Sequence, residues 1–147
     1  MSTNYHALIP GQVFMGSALD MQDVVDKEGV DVIVDLRAEA TECAAANGDV
    51  TWIQVPLGDN SPTAEFQLFK QAIGHVVDAM HQGKKVAFHC GLGRGRTGTV
   101  AAGVLMELGL AKDLPQAQAM AKAIRPEISI QPVQMHALEL IYPKLPL

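Results

Sequence analysis

Along this chain, short β-branched apolar runs alternate with longer stretches in which apolar residues recur every three or four positions. Val30-Asp31-Val32-Ile33-Val34-Asp35-Leu36 is mostly apolar and β-branched, the pattern of a strand buried on both faces of a helix-covered sheet. Gly11-Gln12-Val13-Phe14-Met15-Gly16 and Thr51-Trp52-Ile53-Gln54-Val55 predict two more strands, and Lys84-Lys85-Val86-Ala87-Phe88-His89 predicts another, leading into a glycine-rich segment. Asp20 to Lys27, with Met21, Val24 and Val25 on one side, predicts a helix that Gly29 ends. Ala38 to Asn47 is alanine-rich and is read as helical despite poor periodicity.

Pro56-Leu57-Gly58-Asp59-Asn60-Ser61-Pro62 is a loop by its turn-forming residues. Ser61 before Pro62 predicts the start of a helix that carries Phe66, Phe69, Ile73, Val76, Val77 and Met80 on its core face and stops at Gly83. A further helix is predicted from about Thr97 to Leu108, with Gly109 as its stop. Asp113 caps the next, which ends near Arg125-Pro126, and a short last helix spans Val133 to Leu140. Strands alternating with helices of this length predict an α/β fold with a central, mostly parallel sheet flanked by helices, built as one domain over residues 1–147.

Composition narrows the class. The chain has 147 residues, 48% of them hydrophobic, enough for one sizeable core. No run approaches the roughly 20 apolar residues that cross a bilayer, and the first residues lack the charged and apolar regions of a secretion signal, so a cytoplasmic location is expected. A formal charge of −5 argues against a broad nucleic-acid or anionic-membrane surface, so neither partner is expected, and any phosphate recognition should be local. The two cysteines, Cys43 and Cys90, form no C-x-x-C pair and no disulfide framework. His6, His75, His81 and His136 show no metal-ligand spacing, and neither a metal nor a cofactor is implied.

The chemistry is concentrated in His89-Cys90-Gly91-Leu92-Gly93-Arg94-Gly95-Arg96-Thr97-Gly98, lying between a predicted strand and a predicted helix. Glycines let consecutive N–H groups curl inward as an anion cradle, and the helix start adds orphan donors and the positive end of its dipole. That field favours thiolate over thiol, so a cysteine at its base is set up as a nucleophile. Arg96 offers two parallel donors to phosphoryl oxygens, and Thr97 can hydrogen-bond the sulfur and ease its departure. A merely structural buried thiol would not call for four glycines and two arginines beside it. His89, ending a strand, reads as a buried orienting residue rather than a proton carrier. Cys43 has no sequence feature that brings it to Cys90, and reads as an ordinary thiol.

These residues resemble the signature H-C-x-x-G-x-x-R-[ST]-G of the protein tyrosine phosphatase superfamily, more specifically its compact dual-specificity branch. The match is complete at His89, Cys90, Gly93, Arg96, Thr97 and Gly98, and the similarity extends to Val13-Phe14-Met15-Gly16-Ser17 and to Val34-Asp35-Leu36-Arg37. The resemblance implies hydrolysis of phosphate monoesters through a phosphocysteine, with Gly91, Leu92, Gly93, Arg94, Gly95 and Arg96 binding the phosphate. It also implies a general acid on an upstream loop, for which Asp59 is the candidate; Glu65 and Asp78 are expected on the following helix. Pro132-Val133-Gln134 resembles the water-positioning loop of phosphatase-and-tensin-type enzymes, which points to Gln134, with Gln131 as competitor. Arg94 is either a solvated loop residue or a source of positive charge at the mouth, the same type having a basic residue there.

A protein tyrosine or dual-specificity phosphatase acting as a monomer on phosphoproteins or other phosphomonoesters is therefore expected. A phosphoinositide or RNA 5′-phosphate phosphatase using the same loop is the alternative. A rhodanese-like sulfurtransferase, which needs no acid loop, and a non-catalytic phosphate-binding module are more remote.

Overall fold

The computed structural model describes residues 4–46, 48–59, 61 and 63–143. Its elements run β1 (His6–Ile9), β2 (Val13–Ser17), α1 (Met21–Glu28), β3 (Val32–Asp35), β4 (Thr51–Gln54), α2 (Phe66–His81), β5 (Val86–Cys90), α3 (Gly95–Glu107), α4 (Leu114–Ile124) and α5 (Pro132–Ile141). The five strands lie in the order β1-β2-β5-β3-β4. β5 is central, parallel to β2 on one side and to β3 on the other; β3 also runs parallel to β4, and only the edge strand β1 is antiparallel. The mostly parallel sheet expected from the alternating pattern is thus present.

Side-chain alternation divides the core into two layers. Val13, Met15, Val32, Val34, Val86, Phe88 and Cys90 face a large cluster shared with Phe69, Ile73, Val100, Val104 and Leu138 of the later helices and with Ile128 between α4 and α5. Phe14, Ile33 and Ala87 face the opposite layer, closed by Met21 and Val24 of α1. Burying both faces is what makes the strands read as near-continuous apolar runs.

Helix ends follow local chemistry where a side chain or a glycine supplies the cap. Gly29 is left-handed (φ 68°) and its N–H reaches the Val25 carbonyl at 3.1 Å. Asp113 accepts the Gln116 N–H at 2.9 Å.

Two expectations are corrected, and one strand was not expected. Residues 38–46 are not helical: the Gln54 amide donates to the carbonyls of Arg37 and Ala40, both at 2.8 Å, and ties the segment down as a loop; Asn47 lies outside the described residues. The helix expected from Ser61 begins only at Phe66, because Glu65 takes a left-handed conformation (φ 51°) that no helix can run through. The Ser61 hydroxyl instead accepts the Thr63 N–H, and Pro62 lies outside the described residues. β1 was not foreseen; a turn in which the Gln12 N–H meets the Ile9 carbonyl folds it back onto β2.

Candidate active site

The end of β5 and the start of α3 enclose the glycine-rich segment. Cys90 is the last residue of β5 and 4% exposed; Arg94 is the N-cap of α3, which begins two residues earlier than the Thr97 expected. Between them Gly93 has φ 74°, and a Cβ there would come within 2.6 Å of the Arg125 guanidinium and 2.7 Å of the Gly16 carbonyl oxygen, so only glycine fits.

The carbonyl of Cys90 accepts from His89 Nδ1 (3.0 Å) and that of Gly91 from the Ala18 N–H (3.1 Å). The carbonyls of Leu92 and Gly93 accept from Arg125, at 3.3 and 2.8 Å. That of Arg94 accepts from the N–H groups of Ser129 and Gly98, and that of Gly95 from the Thr99 hydroxyl. There are no cis peptides among the described residues, and a trans peptide points its N–H opposite to its C=O. Carbonyls tied down on the outside therefore turn the following N–H groups to the inside. No hydrogen bond within the described residues takes up the N–H groups of Gly91, Leu92, Gly93 or Arg94. Buried or half-enclosed donors left in this way are a ready anion site.

Cys90 and Thr97 meet directly, the Thr97 hydroxyl donating to Sγ at 3.0 Å. Arg96 is 3% exposed, yet its five donors are only partly used. Glu39 takes one N–H from each terminal nitrogen at 2.9 Å, and the other Nη1 hydrogen goes to the carbonyls of Leu57 (2.9 Å) and Leu36 (3.3 Å). Among the described residues nothing takes Nε–H and one Nη2–H, the parallel pair along one edge of the fork, with Nη2 running beside Gly91 of the loop. Burial pulls the Arg96 guanidinium toward losing its proton, but Glu39, the Cys90 sulfur and the nearby Asp59 outweigh it and hold the charge more firmly than usual. The bond to Arg96 in turn holds the Glu39 carboxyl below its ordinary range.

His89 points to the other face of the sheet, beside Asp35, its register partner on β3. Asp35 is fully buried, paired in two bonds with Arg37 at 2.9 Å and accepting Trp52 Nε1–H at 3.0 Å. Burial alone would raise its carboxyl; Arg37, His89 and Trp52 together take it below the usual range. Since the Cys90 carbonyl can only accept, the His89 proton sits on Nδ1, and burial holds the ring neutral. Nε2 then faces Asp35 at 3.7 Å with no hydrogen-bond partner among the described residues. The ring orients the Cys90 carbonyl from behind the sheet, as the end-of-strand position suggested.

Asp59 is exposed in the turn after β4, close enough for its charge to act on Arg96. Glu65 is not on the helix as expected: it is the N-cap of α2, and its carboxylate accepts the Gly58 N–H at 3.1 Å, bracing the loop next to Asp59. Asp78 lies within α2, as expected. Gln134 is buried at the start of α5, where Oε1 accepts the Gln131 N–H at 2.9 Å. Its amide packs on the loop so closely that a Cβ at Gly95 would approach it to 3.0 Å, whereas Gln131 is exposed. Arg94 and Leu92 are exposed at the loop's outer side.

Sequence reasoning missed Glu39, Arg125 and the bracing contact of Glu65. Their partners are 57, 32 and 7 positions away, and no local pattern signals such pairings. Among the described residues there is no acidic or His/Cys cluster able to hold a metal ion, and no helix is long and apolar enough to cross a membrane.

A thiol on the floor of a ring of free amides, with a hydroxyl on its sulfur and a buried guanidinium edge beside it, defines the class of cysteine-based phosphatases. Residues 13–143 match the family model of the dual specificity phosphatase catalytic domain, and the chain belongs to that family. It is 27% identical over 125 residues to dual specificity protein phosphatase Mpk3 of Drosophila melanogaster, covering 83% of this chain but only 30% of that protein. The structure of human DUSP28 superposes with a TM-score of 0.80 at 21% identity, covering 95% of this chain and 93% of that one. A mouse putative dual specificity phosphatase complexed with zinc tungstate gives 0.82 at 18% identity, over 95% and 87% of the two chains. At those identities the structures share the fold.

Proposed function

We propose that this protein hydrolyses phosphate monoesters of proteins in two steps. The Cys90 thiolate attacks phosphorus, forming an S–P bond as the P–O bond to the leaving group breaks, and Asp59 donates its proton to the departing oxygen. Water then attacks the phosphocysteine, Asp59 takes back a proton, and the S–P bond breaks with its electron pair returning to sulfur. The inward amides of residues 91–96 and the free Nε/Nη2 edge of Arg96 hold the three non-bridging oxygens as charge develops on them. Thr97 stabilises the departing thiolate through its hydrogen bond, and Gln134, lying against Gly95, positions the water.

The observation that carries this reading is the division of labour on Arg96. Glu39 and two carbonyls hold one edge and one corner of the guanidinium and leave the two parallel donors of a bidentate phosphate contact. A protein substrate is favoured by the family and by the net acidity of the chain, which disfavours an anionic lipid surface. Phosphate release across phosphotyrosyl and phosphoseryl peptides, inositol lipids and nucleotides tests the substrate class; best turnover of a lipid or nucleotide would refute it. Cys90→Ser should abolish release of phosphate from p-nitrophenyl phosphate while the circular dichroism spectrum is unchanged; retained activity would refute the mechanism.

A further inference from the structure

Most of the loop's outward carbonyls are taken by a group that the adjoining fold brings alongside: a strand neighbour, the next turn of α3, the segment before α5. Leu92 and Gly93, at the turn of the loop, differ. Both of their carbonyls are held by one side chain from a distant part of the chain, Arg125.

Resting on the reading of residues 90–96 as a phosphate cradle, we propose that Arg125 is a positioning residue for it. By holding the Leu92 and Gly93 carbonyls outward, its guanidinium aims the Gly93 and Arg94 N–H groups at the oxyanion. Gly93 has no Cβ, and its neighbouring peptide planes can rotate at little steric cost. A rotated plane would present a carbonyl lone pair to the phosphate in place of a donor. Two bonds from one rigid, planar group fix two successive planes at once.

The rest of Arg125 is built for this task. It is 3% exposed, and a buried cation is tolerated only when its donors are satisfied. Nε donates to Gly93; Nη1 donates to the Asn4 carbonyl (2.6 Å) and to His6 Nδ1 (3.0 Å); Nη2 donates to Leu92 and lies 3.6 Å from the Glu127 carboxylate. The residue is the C-cap of α4 with extended backbone (φ −128°, ψ 94°), the conformation that the following Pro126 enforces. Helix end and proline together throw the side chain under the loop.

The test separates oxyanion binding from turnover. Tungstate binding is measured by calorimetry for the wild type, Arg125→Lys, Arg125→Gln and Val24→Ala, the last in the core layer on the other side of the sheet. Arg125→Lys keeps the charge but loses the rigid fork whose Nε and Nη2 reach the two carbonyls, so both Arg125 variants should bind tungstate at least tenfold more weakly, while Val24→Ala lowers Tm and leaves affinity within twofold. Folded Arg125 variants that bind as the wild type does would overturn the proposal, as would an equal loss in Val24→Ala. Should neither Arg125 variant fold, proton-detected NMR of the wild type decides: the Arg125 Nε–H should exchange slowly and shift on adding tungstate, and an unprotected, unshifted signal overturns it. A wild type that binds tungstate but hydrolyses no ester would refute the phosphatase reading and leave this one standing. A wild type that does not bind tungstate refutes both.

Discussion

Glu39 and Arg96, 57 positions apart, meet in two hydrogen bonds of 2.9 Å, so that a half-exposed carboxylate in a loop orients a buried guanidinium on a helix. Glu39→Gln removes the charge and one of the two acceptors, leaving a single neutral amide oxygen and the carbonyls of Leu36 and Leu57 to orient the guanidinium. Turnover of p-nitrophenyl phosphate should fall about tenfold in kcat/KM, about 1.4 kcal/mol of transition-state stabilisation. Steady-state kinetics would check it; unchanged or raised kcat/KM would mean that Glu39 competes with substrate for Arg96.

Asp59 stands in an exposed turn braced by the Glu65–Gly58 bond. Proton donation matters most when the leaving oxygen is basic, so Asp59→Ala should slow alkyl phosphates by about a hundredfold or more and p-nitrophenyl phosphate far less. Equal losses for both would assign the acid elsewhere. Glu65→Ala, which frees the loop but keeps the acid, should show the same leaving-group trend in weaker form.

Gly93→Ala should damage both stability and binding. The left-handed conformation costs an alanine about 1 kcal/mol, and the methyl group would press on the Arg125 guanidinium and the Gly16 carbonyl oxygen. Urea denaturation is expected to show a loss of about 2–3 kcal/mol, accompanied by weaker vanadate inhibition. A variant as stable as the wild type would show that the loop is not held as described.

Acid should destabilise the fold in two stages. Burial lowers the proton affinity of both His6 and His89 in the folded protein. The unfolded chain therefore binds more protons from about pH 6.5 downward, and stability present above that pH is lost as it falls toward the folded-state values. Asp35 and Glu39, held below their ordinary range, add a second loss once the pH drops below about 4. Urea midpoints measured from pH 8 to pH 3 should decline across both windows. A flat profile between pH 7 and pH 5 would mean that the fold does not hold the two rings away from water.

Strands β2 to β5, the glycine-rich turn and the caps at Gly29 and Asp113 were legible from the chain alone. Each depends on residues within a few positions of one another: an apolar run wanting burial on both faces, a glycine where φ is positive, a carboxylate beside free N–H groups. The placement of Cys90, Arg96 and Thr97 around one loop was legible too, because a strand end, a tight loop and a helix start follow one another without interruption. Folding decided the rest. The alanine-rich segment has adequate helix propensity, but two Gln54 bonds hold it as the loop that brings Glu39 to Arg96. Beside the local donors His89, Gly98 and Thr99, the groups that turn the cradle's amides inward come from Ala18, Arg125 and Ser129, on three separate parts of the chain. Hydrophobic period and capping act over a few residues and are written locally. The pairing of a buried charge or a carbonyl with its partner is settled only when packing brings distant segments within 3 Å.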